Sequence, residues 1–489
     1  MTIAFNQIPV NFRVPGQYVE FDNSQANGSD GTVPQKILLI GQMLAAGTGT
    51  PNVATLVSSA EQVALLAGRG SMLHLMAKKL FLANGFTPTY ILAQADAGGS
   101  TKSSRTVTFS GTATAGGELA LYIGDARYAV PVPTATTAAQ LATLVAAAIT
   151  ADAERYVDAA VDGGVPARVN LTARHGGIDA GRIECTHSRY DGERLPTGIS
   201  VVIAALVEGA GNPTLTAAIA GLGENWYPTI VMPYTDAASL TALEAELADR
   251  FGPVRQIEGY AHVGRSADQA TLQALAAGRN SPHESIIDCL DLLTPAWAVA
   301  ASVAAVDAGE PDPARPRQTL TLPGVVAKIE TGRRTKQVRN QLLNAGVSTV
   351  LVDAGGLVHI ERLTTTYRLN SYGLPDDSYF DTESLHLLAN LRFTLRSRFA
   401  AKYPRHKLGK DGSEGPNVMT PGTARAELIS LYRDWMSRGW VEGGTAFEQF
   451  KTDLRVEIDA DDPNRLNAIV PPDLINQLRV VAAQIQFRR

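Results

Sequence analysis

The stretch "KILLIGQML", residues 36–44, decides the fold class of this chain of 489 residues. A short apolar run with a glycine near its end is typical of a buried strand. The segment after it, "SAEQVALLAGRGSMLHLMAKKLFLANG" (59–85), places apolar side chains at helical spacing between glycines, and "TYILAQA" (89–95) returns to a strand. Strand, helix and strand in this order predict a βαβ unit, and hence a multidomain α/β (α+β) protein with mixed-sheet cores.

The same alternation resumes further along the chain. "YPTIVMPY" (227–234) and "RQIEGYAHVG" (255–264) are predicted strands on either side of a helix. A later pair of strands surrounds Gly355-Gly356, which is typical of a hairpin. We therefore predict one α/β domain made of residues 36–98 and 209–380.

Residues 99–208 differ in composition from the segments on either side, since they are rich in Thr, Gly and Val. The pair Gly124-Asp125 between two strand-like runs predicts a tight hairpin. One helix is predicted over 137–157, where Leu141, Leu144 and Val145 share a stripe. This block is predicted to be a self-contained, β-rich insertion at the periphery of the α/β domain.

Both ends of the chain are predicted to be arms. Residues 1–35 hold one short alternating segment, which is followed by a polar linker; its residues are Gln17, Tyr18, Val19, Glu20 and Phe21. A C-terminal domain is predicted over 381–489, and it ends on "RVVAAQIQFRR" (479–489). There Val481, Ala483, Ile485 and Phe487 alternate with polar residues, which is the period of a half-buried strand. Nothing follows this strand to form a hairpin, so its partner lies far back in the chain or in another molecule.

Composition narrows the class of protein. Hydrophobic residues make up 45% of the chain and charged residues 19%, which is typical of a globular protein. The formal net charge of −5 argues against a dedicated nucleic-acid binder. Cys185 and Cys289 lack metal-ligand spacing, and we expect no disulfide framework, secretion signal or membrane-inserted segment.

Motifs for catalysis or cofactor binding are not evident, so no catalytic, cofactor or metal residue is predicted. "GQMLAAGTGT" (41–50) lacks the lysine of a phosphate-binding loop, and "DADDPN" (459–464) lacks the glycine and distant glutamate of a calcium loop. His175, His283 and His386 are interpreted as surface or core histidines. The basic stretch 396–412 is open to three interpretations: a solvated helix end, a protein contact or a nucleic-acid contact.

Several segments, taken in order, resemble the Mu-like contractile phage tail sheath family. They are "FNQIPVNFRVPGQYVEFDNSQA" (5–26), "GRGSMLHLMA" (68–77), "IERLTTTY" (360–367) and "DPNRLNAIVPPDLINQLRVVAAQIQF" (462–487). The resemblance runs from one end of the chain to the other and is weakest over 99–208.

The resemblance implies a structural, non-enzymatic subunit that needs no cofactor. Such subunits form a homo-oligomer of hexameric rings stacked helically around a tail tube protein, with baseplate and tail terminator proteins as further partners. Contraction drives the tube through the bacterial envelope for genome delivery. The expected location is the virion, after assembly in the host cytoplasm. No direct nucleic-acid or membrane partner is expected.

The resemblance also assigns roles to residues. It implies that Gln17–Phe21 and Val480–Phe487 complete a sheet in the C-terminal domain of neighbouring subunits. Arg392, Arg396 and Lys402 are candidates for a charged face towards the tube or the next ring. Two alternatives stay open: the sheath of a DNA-free tailocin, and an α/β enzyme whose site is not visible in one sequence.

Overall fold

The computed structural model describes residues 31–329 and 332–488. By their contacts, residues 34–386 and 477–488 form a larger unit, and residues 31–33 and 387–476 form a smaller one. The predicted C-terminal domain, 381–489, therefore differs from the smaller unit at both ends. Its last residues belong to the larger unit.

The larger unit contains most of the secondary structure. Up to residue 98 it has the strands β1 (Ile37–Gln42), β2 (Ala54–Val57) and β3 (Thr89–Gln94), and the helices α1 (Ala60–Ala67) and α2 (Met72–Ala83). Between 99 and 208 it has β4 (Lys102–Gly111), β5 (Gly117–Ile123), β6 (Ala126–Val132), α3 (Ala138–Ala151), β7 (Val157–Val161), β8 (Arg168–Gly176), a short 3-10 helix (Asp179–Gly181), β9 (Cys185–His187) and β10 (Ile199–Ile203). From 209 it has α4 (Thr216–Leu222), β11 (Thr229–Met232), α5 (Ala237–Phe251), β12 (Tyr260–Arg265), α6 (Gln269–Ala277), β13 (Glu284–Asp288), α7 (Ala296–Ala308), α8 (Lys336–Asn344), β14 (Val347–Val352) and β15 (Val358–Arg362).

An eight-stranded sheet in the described residues organises this unit, with the order β15-β14-β13-β12-β11-β1-β3-β2. The inner strands are parallel, whereas β2 and β15 run antiparallel to their neighbours at the two edges. β1 is buried along its whole length, as expected for a central parallel strand with helices on both faces. The predicted mixed-sheet α/β fold is confirmed, and β1 and β3 are the parallel strands of the predicted βαβ unit.

Local sequence explains where the helices begin. The side chains of Ser59, Ser71 and Thr137 accept hydrogen bonds from backbone N–H groups in the first turns of α1, α2 and α3. Gly68 and Gly70, both with positive φ, separate α1 from α2. Helix α7 is apolar on all sides, because it lies between the sheet and α2 and is almost entirely buried.

Residues 99–208 fold into two small sheets, with the orders β10-β4-β8-β7 and β6-β5-β9. The predicted turn at Gly124-Asp125 joins β5 to β6. Helix α3 packs against strands of both sheets and buries Leu141 and Val145, so the insertion has an apolar core of its own. This core is in contact with that of the central part, since Phe109 and Leu121 belong to the same apolar cluster as Leu39 and Trp297.

Polar contacts strengthen this packing at the tip of the β5–β6 hairpin. The Asp125 carboxylate accepts hydrogen bonds from the Tyr156 hydroxyl at 2.5 Å and the Thr294 hydroxyl at 2.9 Å, and lies 2.6 Å from Lys79 Nζ. The Tyr156 and Trp297 rings meet edge to face at 6.0 Å. The hairpin tip is therefore docked onto α2 and the start of α7.

The smaller unit is a helical layer with two short sheets. The boundary between the units falls inside α9 (Thr382–Lys402), after His386; the unit continues with β16 (Lys407–Leu408), β17 (Val418–Met419), α10 (Pro421–Ser437), α11 (Thr445–Asp453), β18 (Arg455–Ile458) and β19 (Leu466–Ile469). Trp435 is buried and donates its indole N–H to Thr394 Oγ1 at 2.9 Å. Tyr432 packs on Phe450 with ring centroids 4.1 Å apart, so aromatic contacts join α10 to α11.

Candidate functional site

The C-terminal arm, residues 480–488, has neither helix nor strand structure and makes no hydrogen bond within the described part of the chain. Val481, Ile485 and Phe487 are 78%, 89% and 83% exposed, and Ala483 is exposed as well. The strand predicted from their alternation is therefore not formed against the described residues. An apolar row of this kind is typical of a surface that a partner covers.

The hairpin of β18 and β19 is a second incomplete element. Its strands pair antiparallel from Arg455 and Ile469 to Ile458 and Leu466, and no other described strand pairs with either of them. Ile469 is 61% exposed. A two-stranded sheet is marginally stable in water, and additional strands stabilise it. This hairpin thus offers two strand edges to which an extended segment could be added.

The acidic turn "DADDPN" connects these two strands. The carboxylate of Asp459 accepts hydrogen bonds from the backbone N–H groups of Asp461 and Asp462 and from the Asn467 amide. These contacts lower the pKa of Asp459, the Asn467 hydrogen bond most of all. The turn is closed by its own side chain, which agrees with its interpretation as a solvated turn.

The predicted N-terminal strand, Gln17 to Phe21, lies outside the described residues, so its role stays a prediction. The structure brings none of the predicted arm residues together within the described part of the chain. What it adds is the pair of free edges on β18 and β19, which hydrophobic alternation alone does not reveal.

The three basic candidates lie on α9 with different surroundings. Lys402 is paired with Glu427 at 2.8 Å, and the Tyr403 hydroxyl donates to the same carboxylate at 2.6 Å. Burial by itself raises the pKa of Glu427, but the hydrogen bonds from Lys402 and Tyr403 outweigh it, so the pKa is lowered. Arg396 is exposed and Arg392 is partly buried. The charge of Lys402 is therefore already compensated within the chain, and a role at an interface stays a prediction for all three residues.

The carboxyl edge of the central sheet is where α/β proteins usually bind ligands. Here the end of β8 and the 3-10 helix after it cover part of that edge. The Gln42 side chain at the end of β1 donates to the carbonyl of Gly176 at 2.7 Å and to Asp96 at 2.8 Å. Met72 N–H donates to His175 Nε2, so the other ring nitrogen of His175 carries the proton and donates to Asp96 at 3.0 Å.

Asp179 occupies the neighbouring part of the same edge. Its carboxylate accepts hydrogen bonds from the Thr235 hydroxyl at 2.6 Å and the Asn212 amide at 2.9 Å. Two guanidinium groups, those of Arg182 and Arg265, lie 2.9 and 3.2 Å from it. The part of this crevice beyond β1, β3 and β11 is thus occupied by the protein's own side chains.

The glycine-rich loop after β1 does not form an anion cradle. Gly47 N–H donates to the Leu44 carbonyl and Gly49 N–H to the Leu66 carbonyl, so these amides are not available to a phosphate. A Cβ atom at Gly47 would lie 2.5 Å from the Leu66 carbonyl oxygen. Close packing against α1 explains this glycine.

One group of potential metal ligands occurs in the described residues: Glu61, His74 and Glu154. Glu154 is paired with Lys78 and lies 2.9 Å from Arg69, which is also paired with Glu61. Gly70 N–H donates to His74 Nδ1, so the neutral ring carries its proton on Nε2 and has no lone pair to offer there. Burial lowers the pKa of His74. The group is therefore an ion-pair network rather than a metal site.

Sequence reasoning missed the residues that join the insertion to the central sheet. In several of these contacts the two partners are 56 to 169 sequence positions apart, as they are for Asp125, Asp179 and His175. No local pattern marks such pairs. The only local signal is the predicted turn at Gly124-Asp125, which indicates the turn but not its partner.

No helix in the described part of the chain combines the length and the apolar character needed to cross a membrane. Two family models match the sequence: the phage tail sheath protein central domain over residues 208–366, and the phage tail sheath C-terminal domain over residues 375–488. The region left unmatched includes the insertion.

The Mu-like prophage FluMu tail sheath protein of Haemophilus influenzae is 37% identical over 492 aligned positions, which cover 100% of both chains. Two solved structures share the fold. The sheath tail protein of Desulfitobacterium hafniense matches with a TM-score of 0.50 at 13% identity, covering 95% of this chain and 97% of that one. The sheath tail protein of Listeria innocua also gives 0.50 at 13% identity, covering 93% and 96%. The full-length relative and the two domain matches show that this chain belongs to the phage tail sheath family.

Proposed function

We propose that this sheath subunit polymerises as stacked hexameric rings around the tail tube, and that neighbouring copies are joined by strands exchanged through their arms. As a member of the family, the chain is a structural virion component of a contractile tail and not an enzyme, so the α/β-enzyme alternative is excluded. Assembly in the host cytoplasm, contact with tube, baseplate and terminator proteins, and contraction that drives the tube through the envelope are parts of the proposal.

The observation that carries the proposal is the C-terminal arm together with the β18–β19 hairpin. The arm exposes an apolar row, and the hairpin exposes strand edges in the described residues. An added strand would bury Val481, Ile485 and Phe487 at about 1.5–3 kcal/mol each, and each backbone hydrogen bond would contribute about 1 kcal/mol. Repetition at every subunit would produce a continuous mesh.

Residues 99–208 are proposed to lie at the periphery of the assembled particle, with 36–98 and 209–380 as the sheath domain. Arg392, Arg396 and Lys402 are proposed to face the tube or the next ring. A tailocin sheath would use the same subunit chemistry; neighbouring capsid and terminase genes would identify a phage.

The test is deletion of residues 480–489. We expect a folded protein, by circular dichroism, that no longer forms tubes in negative-stain micrographs. The two faces of the arm provide a matched control. Polar substitutions at Ile485 and Phe487 should reproduce the loss, whereas serine at Gln484 and Gln486 should leave assembly intact. Normal tubes from the truncated chain would refute the exchange of this strand.

A further inference from the structure

The root of the C-terminal arm, residues 477–479, is held by the larger unit. Gln477 donates its side-chain amide to the carbonyl of Ala314, and Gln318 donates to the carbonyl of Leu478 at 3.2 Å. By contacts, the chain leaves the smaller unit at Asn476 and returns to the larger one before the arm begins. The arm thus starts from the unit that contains the central sheet.

Arg479 makes the strongest of these root contacts. Its Nη2 lies 3.0 Å from Glu383 Oε2 and 3.3 Å from Asp381 Oδ1. Asp381 is in turn held by Arg362, whose guanidinium donates to both carboxylate oxygens at 2.8 and 2.9 Å. The side chain of Arg479 is only 12% exposed, although residues 480–488 are all exposed.

The burial of Glu383 is what makes its contact with Arg479 important. Its side chain is fully buried, and in the described residues Arg479 is the one cation within ion-pair distance of it. The backbone N–H of Arg317 donates to its other oxygen at 2.9 Å. A buried carboxylate that loses its cation is strongly destabilising, whereas the intact pair contributes little net stability. The pair therefore fixes the position of the arm root more than it stabilises the fold.

We propose that Arg479 is a positioning residue: its ion pairs with Glu383 and Asp381 fix the point and direction from which the arm departs towards a second copy of this chain. This proposal rests on the proposed function, because it assumes that the arm is the part that a neighbouring copy holds. When a neighbouring copy binds the arm, a pulling force on the arm is transmitted through the Arg479–Glu383 pair to the larger unit, and not to the unit of residues 387–476.

The test uses the full chain with a fluorophore on Val480→Cys. Both native cysteines are buried, so a thiol at 480 is the accessible one among the described residues. In Arg479→Gln, the anisotropy at 480 should fall to the value of the same probe at 487. Arg488→Gln, an exposed arginine of the same arm, should leave it unchanged. Because Arg479→Gln leaves Glu383 unpaired, the double variant Glu383→Gln/Arg479→Gln restores folding and should still show the lowered anisotropy.

Tube formation is measured in parallel. Loss of the fixed root should raise the critical concentration for assembly about tenfold or more in the double variant, since two or three residues must then be ordered at each joint. Unchanged anisotropy at 480, or an unchanged critical concentration, would overturn the role of Arg479. Failure of the proposed function has a different signature, namely normal tubes after deletion of 480–489.

Discussion

The buried carboxylate of Asp307 provides the sharpest test of the fold. Asp307 lies near the end of α7 with its side chain fully buried. It accepts a hydrogen bond from Arg317 Nε at 2.8 Å, and His262 Nε2 and His386 Nε2 lie 3.0 and 3.2 Å away. The proposed perturbation is Arg317→Met, which keeps an unbranched apolar side chain and removes the guanidinium charge.

The expected loss is large because Arg317 is itself buried, with 1% of its side chain exposed. Removal of one member of a buried ion pair leaves the other charged in a medium of low polarity, which costs about 3–5 kcal/mol. The variant also loses the hydrogen bond from Arg317 Nη1 to the carbonyl of Asp312, at 3.0 Å. Such a bond contributes about 1 kcal/mol more.

The assay is chemical denaturation of the full chain at pH 7, at a concentration too low for assembly. Arg315→Met is the matched control, since Arg315 is 66% exposed and its nearest carboxylate, that of Glu310, is 3.4 Å away. The Glu310 side chain is 7% exposed, but Arg315 itself is largely solvated, so its removal is expected to change the free energy of unfolding by about 1 kcal/mol or less. Equal effects of the two substitutions would refute the reasoning that burial makes the Asp307 pair critical.

Three further outcomes are expected. Burial, and then Glu244, raise the pKa of Glu284 well above its usual value. The stability that Glu284 contributes is therefore full below pH 4.5 and is lost as the pH rises. Glu284→Gln should stabilise the protein in chemical denaturation at pH 8 and lose this advantage by pH 4. Burial lowers the pKa of His262 to about 3 and that of His283 to about 4. The stability that these neutral histidines contribute is present above pH 6.5 and is lost on acidification, so each should lower the free energy of unfolding by about 1.4 kcal/mol at pH 5.5. A free energy of unfolding that does not change with pH over this range would contradict the expectation. A Cβ atom at Gly264 would lie 2.0 Å from the carbonyl oxygen of the first α7 residue, whereas a Cβ atom at Gly98 would meet nothing within 4 Å. In thermal melts, Gly264→Ala should lower the free energy of unfolding by about 1–3 kcal/mol or more, and Gly98→Ala should change it little.

The local elements could be predicted because their signals are local. The apolar run at 37–40 indicated a buried strand, and Gly124-Asp125 indicated a hairpin; both are present. Thr420 followed by Pro421 begins α10, where the threonine side chain accepts the N–H of Thr423. Spacing of two or of about 3.6 residues is a property of the segment itself, so one sequence is sufficient to detect it.

The rest depends on partners that are distant in sequence or absent from the chain. The alternation at 481–487 predicts a strand, but a strand needs another strand to pair with, and no described strand pairs with this segment. The contacts between the insertion and the central part are not predictable for the same reason, because nothing local to Asp125 or Tyr156 shows that they meet Lys79 and Trp297. The sequence alone does not distinguish Arg479 from the other arm residues, whereas its contact with Glu383 does.

The docking of the insertion on the central part has a consequence for engineering. Excision of the whole block would remove Tyr156 from the ring of Trp297 and Asp125 from the amine of Lys79, so a short linker in its place would leave both groups without these partners. Foreign peptides are better grafted into an exposed turn that supports nothing else. The segment between β7 and β8 meets this requirement, since Gly163 is exposed and a Cβ atom there would touch nothing within 4 Å. A particle decorated at this turn would carry its cargo without disturbing the body that holds the insertion in place.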